Sequence, residues 1–447
     1  MLVRQILSGL CCLVSLPAHS MDLVQAWELL QLQGPTYRAA VHERAAGLEN
    51  PAIGRAGLLP QVTARASKSQ VDGTQEQQNV LGRRIENDLD YDSENLSVQL
   101  RQPLYNRQKM VEYRQGKQRA SYSEAVFDAK TQSVAVRLAS RYFDVLLTRE
   151  TIDLSRAKLK AFEQQVAAAK RRFDLGDGTI TDVDQATARR DLAQAGVIEA
   201  EDNLVVALRL LQELLGNNLD QLSTLHADFP TPPLQPDNLQ DWLQKAQLNN
   251  PSLRARQLNH GLAEEEVKRA SSAHWPTLDL VLGYTDSESD SLSTINQTNR
   301  YSSIGLEFTM PLYAGGGVSA RVRQATASRE QAGEEVNASR EEVFSATTRE
   351  FRGVQSGQAR IRALQQAVIS SERAQDSARK GFLAGSSTNV DILNAEEQVF
   401  IARRDLLEAK LRYLLARLQL AAAVGLLGED DILQVNAYLG PELALGY

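Results

Sequence analysis

The chain of 447 residues is short of most of the residues that carry chemistry. It has two cysteines, Cys11 and Cys12, both close to the N-terminus. Beyond residue 20 there is therefore no disulfide framework and no thiol nucleophile. Aromatic residues make up only 6%, while Ala, Gln, Arg and Glu abound, as in long helices. Five histidines are scattered, and His42, His226, His260 and His274 have no metal-ligand spacing to one another or to carboxylates. Basic residues do not outnumber acidic ones: the formal charge is −7, with no basic patch for nucleic acid. Gly315-Gly316-Gly317 lacks a following Lys-Ser/Thr and marks a tight strand-to-helix turn rather than a phosphate loop. These absences leave no catalytic constellation and no cofactor site, and the expectation is a protein that is not an enzyme. After residue 20 no apolar run approaches the roughly 18 residues of a transmembrane helix.

The N-terminus reads as a signal peptide over residues 1–20. Arg4 gives a positive start, Ile6 to Leu16 a short apolar core, and Pro17-Ala18-His19-Ser20 small residues at −3 and −1. A run of about 11 residues is too short to span a bilayer. The mature protein is expected outside the cytoplasm.

What is abundant is repetition. Phe173-Asp174-Leu175-Gly176-Asp177-Gly178-Thr179-Ile180-Thr181-Asp182-Val183 matches Phe382-Leu383-Ala384-Gly385-Ser386-Ser387-Thr388-Asn389-Val390-Asp391-Ile392 at an offset of 209. Each reads as the turn of a helical hairpin. Glycine permits the left-handed residue that ends one helix, and Thr179/Asp182 and Thr388/Asp391 have capping-box spacing for the next. Pro60 and Pro276 match at an offset of 216, and Pro103-Leu104-Tyr105 and Pro311-Leu312-Tyr313 at 208. The chain thus divides into a first repeat (21–227), a proline-rich linker (228–237), a second repeat (238–428) and a C-terminal tail (429–447).

Each repeat opens with a helix, Thr36 to Ala56 and Ser252 to Ala273. Two stretches of period two follow, at about 60–104 and 276–312. Leu278, Leu280, Leu282 and Tyr284 share one face, as do Ile304, Leu306, Phe308 and Met310, and Leu96, Val98 and Leu100. The segments 73–90 and 287–299 read as polar loops between paired strands. Long helical hairpins at about 107–215 and 318–427 complete the repeats. Leu138, Val145, Ile152, Leu159, Val166 and Phe173 lie seven apart, and Ile392, Ala395, Val399, Ala402, Leu406, Ala409, Tyr413, Ala416 and Leu420 continue a three-four spacing. That is coiled-coil packing with alanine letting the helices approach closely. The fold class is mixed α/β, mainly α, with an internal two-fold repeat. Four strands with an apolar face cannot close a barrel, and lipid does not tolerate an open edge. Strands facing lipid therefore require several chains, and three would supply twelve strands.

The doubled pattern resembles the TolC-type outer-membrane channels of Gram-negative bacteria. The resemblance rests on Pro60 and Pro276, on Gln102-Pro103-Leu104-Tyr105 and Met310-Pro311-Leu312-Tyr313-Ala314-Gly315-Gly316, and on the two turns, and it covers residues 22 to 428. It implies a homotrimer in outer-membrane lipid, with a twelve-stranded β-barrel continued by an α-barrel tunnel across the periplasm. It implies two partners, a periplasmic adaptor protein and an inner-membrane pump. Gly178-Thr179-Ile180-Thr181-Asp182-Val183 looks most like the type I secretion branch, in which the pump is an ABC transporter and a secreted protein passes through. The alternative is a small-molecule efflux duct with a proton-driven pump. A periplasmic coiled-coil scaffold without a pore is a third reading, which the alternating strands oppose.

The resemblance places both turns at the tunnel tip, as the gate and the adaptor-docking surface. Gly176, Gly178, Thr179, Gly385 and Thr388 would shape that surface. Asp391 would form a ring of carboxylates at the constriction, favouring cations. Its competing reading is a helix-capping carboxylate. Asn394 stands where some members carry a second acidic ring, and Ser387 where the family has a tip arginine, so the usual inter-hairpin salt bridge cannot form in the same way. Asp182 and Asp184 are the acidic candidates on the first hairpin, Asp184 reading also as a solvated helix face.

Overall fold

The computed structural model describes residues 21–78, 80–216, 221–226, 229–289 and 297–444. The signal-peptide reading for residues 1–20 lies outside them, as do residues 290–296 of the expected 287–299 loop, whose other residues are strand. Ten helices and six strands occur in the described residues. They are α1 (Leu23–Gln33), α2 (Pro35–Leu48), α3 (Asn50–Ala56), β1 (Gln61–Gln78), β2 (Arg84–Asn106), α4 (Arg107–Asp174) and α5 (Ile180–Leu215). There follow β3 (Gln221–Leu225), α6 (Leu239–Asn249), α7 (Pro251–Ser272), β4 (Thr277–Ser289), β5 (Gln297–Thr309), α8 (Gly317–Leu383), α9 (Asn389–Val424), α10 (Glu429–Asn436) and β6 (Leu439–Ala444). The order helix, strand pair, very long helix and shorter helix thus appears twice. No described helix is long and apolar enough to cross a membrane.

The chain forms two compact units. One comprises residues 41–128 and 251–341 and contains a four-stranded antiparallel sheet of order β1-β2-β4-β5. The pairings Val62↔Leu100, Leu100↔Leu282 and Leu282↔Ile304 put these side chains on one face. Ala64, Val98, Tyr284, Leu280 and Leu306 share that face; Thr63, Gln99, Arg101, Asp279 and Glu307 occupy the other. One face is therefore apolar and one polar. Ile304, Leu306 and Phe308 are exposed. The strands are longer than the alternating apolar residues indicate. β1 runs to Gln78 and β2 starts at Arg84, so most of the expected 73–90 loop is strand. There the ladder carries polar residues on both faces, which hides the period. Beside the sheet, Arg114 of α4 bonds Glu265 of α7 at 3.0 Å and Gln115 bonds Glu266 at 3.0 Å.

The other unit comprises residues 21–40, 129–250 and 342–444 of the described chain. The seam read from the heptads is largely its core: Leu138, Val145, Ile152 and Val166 are buried, as are Val183, Ala186, Ala193 and Ala200. Phe173, last of the heptad row, is exposed, because the helix ends one residue later. α4 continues without a break for 68 residues. The segments expected to be linker and tail are also built in. Tyr413 donates its hydroxyl to the carbonyl of Pro232 at 3.2 Å and Gln358 donates to the same carbonyl at 2.6 Å. β6, from the tail, pairs with β3. Asn436 of α10 receives the Leu23 N–H at 3.0 Å and donates to Asp22 at 3.0 Å, tying the two ends of the chain together.

Candidate functional site

Both hairpin turns lie in this second unit, and both close in the same way. At the first, the Gly176 N–H donates to the Phe173 carbonyl (3.0 Å) and the Asp177 N–H to the Arg172 carbonyl (2.9 Å), with Gly176 at φ +81°. A side chain on Gly178 would press on Arg172 and Phe173 at 3.2 Å. Thr179 then caps α5: its hydroxyl accepts from Asp182 N–H (3.2 Å), and Asp182 Oδ2 accepts from the Thr179 N–H (3.1 Å) and hydroxyl (2.7 Å). At the second, Gly385 has φ +75°, and the N–H groups of Ser386 and Ser387 converge on the Gly381 carbonyl at 2.8 and 3.2 Å. Thr388 caps α9. Asp391 Oδ2 accepts from the Thr388 N–H and hydroxyl, both at 2.7 Å.

Those two bonds from Thr388, the backbone one first, hold the exposed Asp391 carboxyl below its ordinary value. Capping therefore occupies Oδ2, while Oδ1 has no protein partner among the described residues. Asp184 and Asn394 are exposed and Ser387 half-buried. Ser387 is folded onto its own helix end, where a side chain on Gly381 would meet its hydroxyl at 2.5 Å.

The two hairpins are joined to each other by residues that the sequence pattern does not single out. Glu397 of α9 receives Lys158 of α4 at 2.8 Å and is paired with Arg189 of α5, whose other nitrogen bonds Asn394 at 3.0 Å. The hydrogen bond from Lys158, together with both cations, outweighs partial burial and lowers the Glu397 pKa. The preceding residue, Glu396, lies on the buried face and is fully covered. It takes Arg379 of α8 at 2.6 Å and Gln165 of α4 at 3.2 Å. Asn389, also buried, reaches towards the Asp182 carbonyl at 3.5 Å. At the tip Arg172 lies over the Phe382 ring, 4.1 Å from its centroid. Among these groups Asn394 and Asp182 were sequence candidates, and Asp182 enters only through its backbone carbonyl. The available signal was the interruption of the apolar seam: Asn389, Ile392, Glu396 and Val399 have three-four spacing, with polar residues at two of four positions.

This arrangement has no nucleophile set against a base, and among the described residues no group of His, Cys, Asp and Glu could hold a metal ion. What it can do is hold two helical hairpins side by side through contacts that water can replace.

The family model for "outer membrane efflux protein" matches residues 27–217 and 242–426, most of both halves. The chain belongs to that family. Its place is the outer membrane. Over 428 residues it is 35% identical to the proteases secretion protein PrtF of Dickeya chrysanthemi, covering 94% of this chain and 92% of that one. It is 32% identical to the alkaline protease secretion protein AprF of Pseudomonas aeruginosa, with coverage of 94% and 88%. The outer membrane protein TolC of Escherichia coli is 28% identical, with coverage of 93% and 85%. Among solved structures, the outer membrane protein VceC of Vibrio cholerae matches at a TM-score of 0.75 and 18% identity, covering 90% of this chain and 96% of that one. A structure of CusC matches at 0.77 and 18%, covering 91% and 92%. The fold is that of TolC-like channels, mainly helical with a curled sheet.

Proposed function

We propose that this protein is the outer-membrane exit duct of a type I secretion system. In this reading it passively conducts a secreted protein from an inner-membrane ABC transporter and a periplasmic adaptor to the exterior. The carrying observation is the near full-length match to two protease secretion proteins at 35% and 32% identity. Three copies assemble. The two repeats of each chain, 21–227 and 238–428, contribute four strands to a twelve-stranded barrel, with the apolar face towards lipid. Helices α4, α5, α8 and α9 of each copy line the tunnel. The turns at Gly176, Gly178, Thr179 and at Gly385, Thr388 form the docking tip. Asp391, with Asp182, Asp184, Ser387 and Asn394, lies about the constriction. The Lys158–Glu397–Arg189 and Gln165–Glu396 contacts hold the hairpins of one copy together there, in place of an arginine at Ser387. The chain supplies binding surface and passage, and no reaction.

The second reading is efflux of small molecules, favoured by the likeness to TolC and by the family's own description. One experiment separates them. The chain is expressed in cells that carry the transporter and adaptor of a protease secretion system but no duct. Protease in the culture medium is the expected result. Cell-retained protease together with restored resistance to small toxic compounds would replace secretion by efflux. Absence of single-channel conductance from the purified protein in planar bilayers, with the tip opened by Glu397→Ala, would overturn both.

A further inference from the structure

The polar face of the four-stranded sheet, which lines the bore of the barrel proposed above, is poor in charge. Its ionisable residues are Arg65 of β1, Arg101 of β2, Asp279 of β4 and Glu307 of β5. Three of them form one group. Asp279 and Glu307 lie directly opposite each other. Arg101 pairs with both, 3.6 Å from Asp279 and hydrogen-bonded to Glu307.

Arg65 stands apart from that group. It is exposed and has no carboxylate partner among the described residues. Across the sheet its level holds Ser97, Thr285 and Tyr301. The next level on the same face holds Ser67, Asn95, Ser287 and Asn299. The opposite face at this height is handled differently. There Lys68 bonds Glu94 at 2.6 Å and lies 3.9 Å from Asp92, and Arg300 bonds Asp286 at 3.0 Å. Cations on the outward face are thus neutralised, and the cation on the bore face is not. The repeat does not copy it either, because Val281 stands 216 positions on. Both acids of the bore face are already held by Arg101, so a neighbouring copy would bring Arg65 no free carboxylate.

We infer that Arg65 sets the charge preference of the barrel. In the assembled duct its copies form a basic collar in a bore otherwise lined there by hydroxyls and amides. Such a ring favours anions, and acidic stretches of a passing chain, over cations. This rests on the assembled barrel proposed above and names a selectivity residue within it. A wall of hydroxyls and amides offers an extended polypeptide only weak, exchangeable hydrogen bonds, so the collar is where the charge of the cargo is felt. Its sign is opposite to that of Asp391 at the constriction.

Reversal potentials under a KCl gradient in planar bilayers test the collar. The full protein is used with Glu397→Ala as the parent, so that the tip does not dominate selectivity. Arg65→Gln removes the collar and breaks no bond within the sheet. Lys68→Gln removes the same charge three residues along the same strand, from the opposite face. Arg65→Lys keeps the charge. A change of about half kT in the bore, small beside the several kT of charge-lined clefts, moves a cation-to-anion ratio about two- to three-fold. Arg65→Gln is expected to raise the potassium-to-chloride permeability ratio by that factor near 0.1 M salt. The rise should fade at 1 M, where the screening length drops from about 10 Å to about 3 Å. Lys68→Gln and Arg65→Lys are expected to match the parent. A ratio unchanged in Arg65→Gln, or changed equally in Lys68→Gln, would overturn the collar and leave the duct standing. A parent without conductance would overturn the duct, and the collar with it.

Discussion

The turn at Gly176 and the turn at Gly385 use the same three devices: a glycine with positive φ, a threonine cap, and an aspartate three residues on. Around these devices the turns differ. The first has Asp177-Gly178, with a second glycine packed on Arg172 and Phe173. The second has Ser386-Ser387, whose N–H groups share the Gly381 carbonyl. Beyond the cap, α5 presents Arg189 while α9 presents Asn394, Glu396 and Glu397. The shared part makes a turn, and the unshared part makes the contact between hairpins. A capping aspartate is therefore no evidence for a gate, because both turns have one; the acceptors beyond it belong to the second hairpin alone.

The largest effect should come from breaking the shared device. Gly176→Val and Gly385→Val each force a β-branched residue to positive φ, at a cost of about 2 kcal/mol. Thermal unfolding of the two variants should show matching losses. If Gly385→Val alone is destabilising, the turns are not equivalent.

Breaking the unshared part comes next. Glu397→Ala leaves Lys158 and Arg189 without their carboxylate. All three side chains are about a third exposed, so water offsets much of the loss and roughly 1 kcal/mol remains. Single-channel records should show longer or larger openings for this variant than for Arg156→Ala, which removes a bond between α4 and α5 within one hairpin. Equal behaviour would sink the inter-hairpin role.

Thr179→Ala and Thr388→Ala should each cost about 1 kcal/mol, and comparing the two sharpens the equivalence further. The smallest effect concerns pH. The folded Asp391 pKa is depressed, so its cap contributes stability above the unfolded carboxylate value of about 3.9 and loses it as pH falls through the lower folded value. In Thr388→Ala that acid dependence should flatten; an unchanged acid limb in stability titrations would remove Asp391 from the account.

Much of the hairpin was legible because coiled-coil seams and caps are local codes. Leu138, Val145, Ile152 and Val166 declare their spacing, and Thr388 with Asp391 declares a helix start. The strands were legible wherever one face was apolar, as at Leu278 to Tyr284. They were not legible from Asp72 to Gln78 or from Arg84 to Asp92, where a polar ladder has no contrast between faces. The inter-hairpin contacts were not legible because Lys158, Arg189 and Glu397 are ordinary charged residues in helices that are full of them. Only their meeting at 2.8 Å and closer distinguishes them.

By itself, the sequence determined that this chain is doubled, helical over most of its length, poor in chemistry, and turned at Gly176 and Gly385. Those properties follow from spacing along one chain. Tertiary structure decided which polar groups are neighbours across hairpins and why Pro103-Leu104-Tyr105 is strand while Pro311-Leu312-Tyr313 is not. The physical reason is the same in both cases: pairing energy depends on what lies across a gap, and a strand or a carboxylate takes its state from the partner it meets.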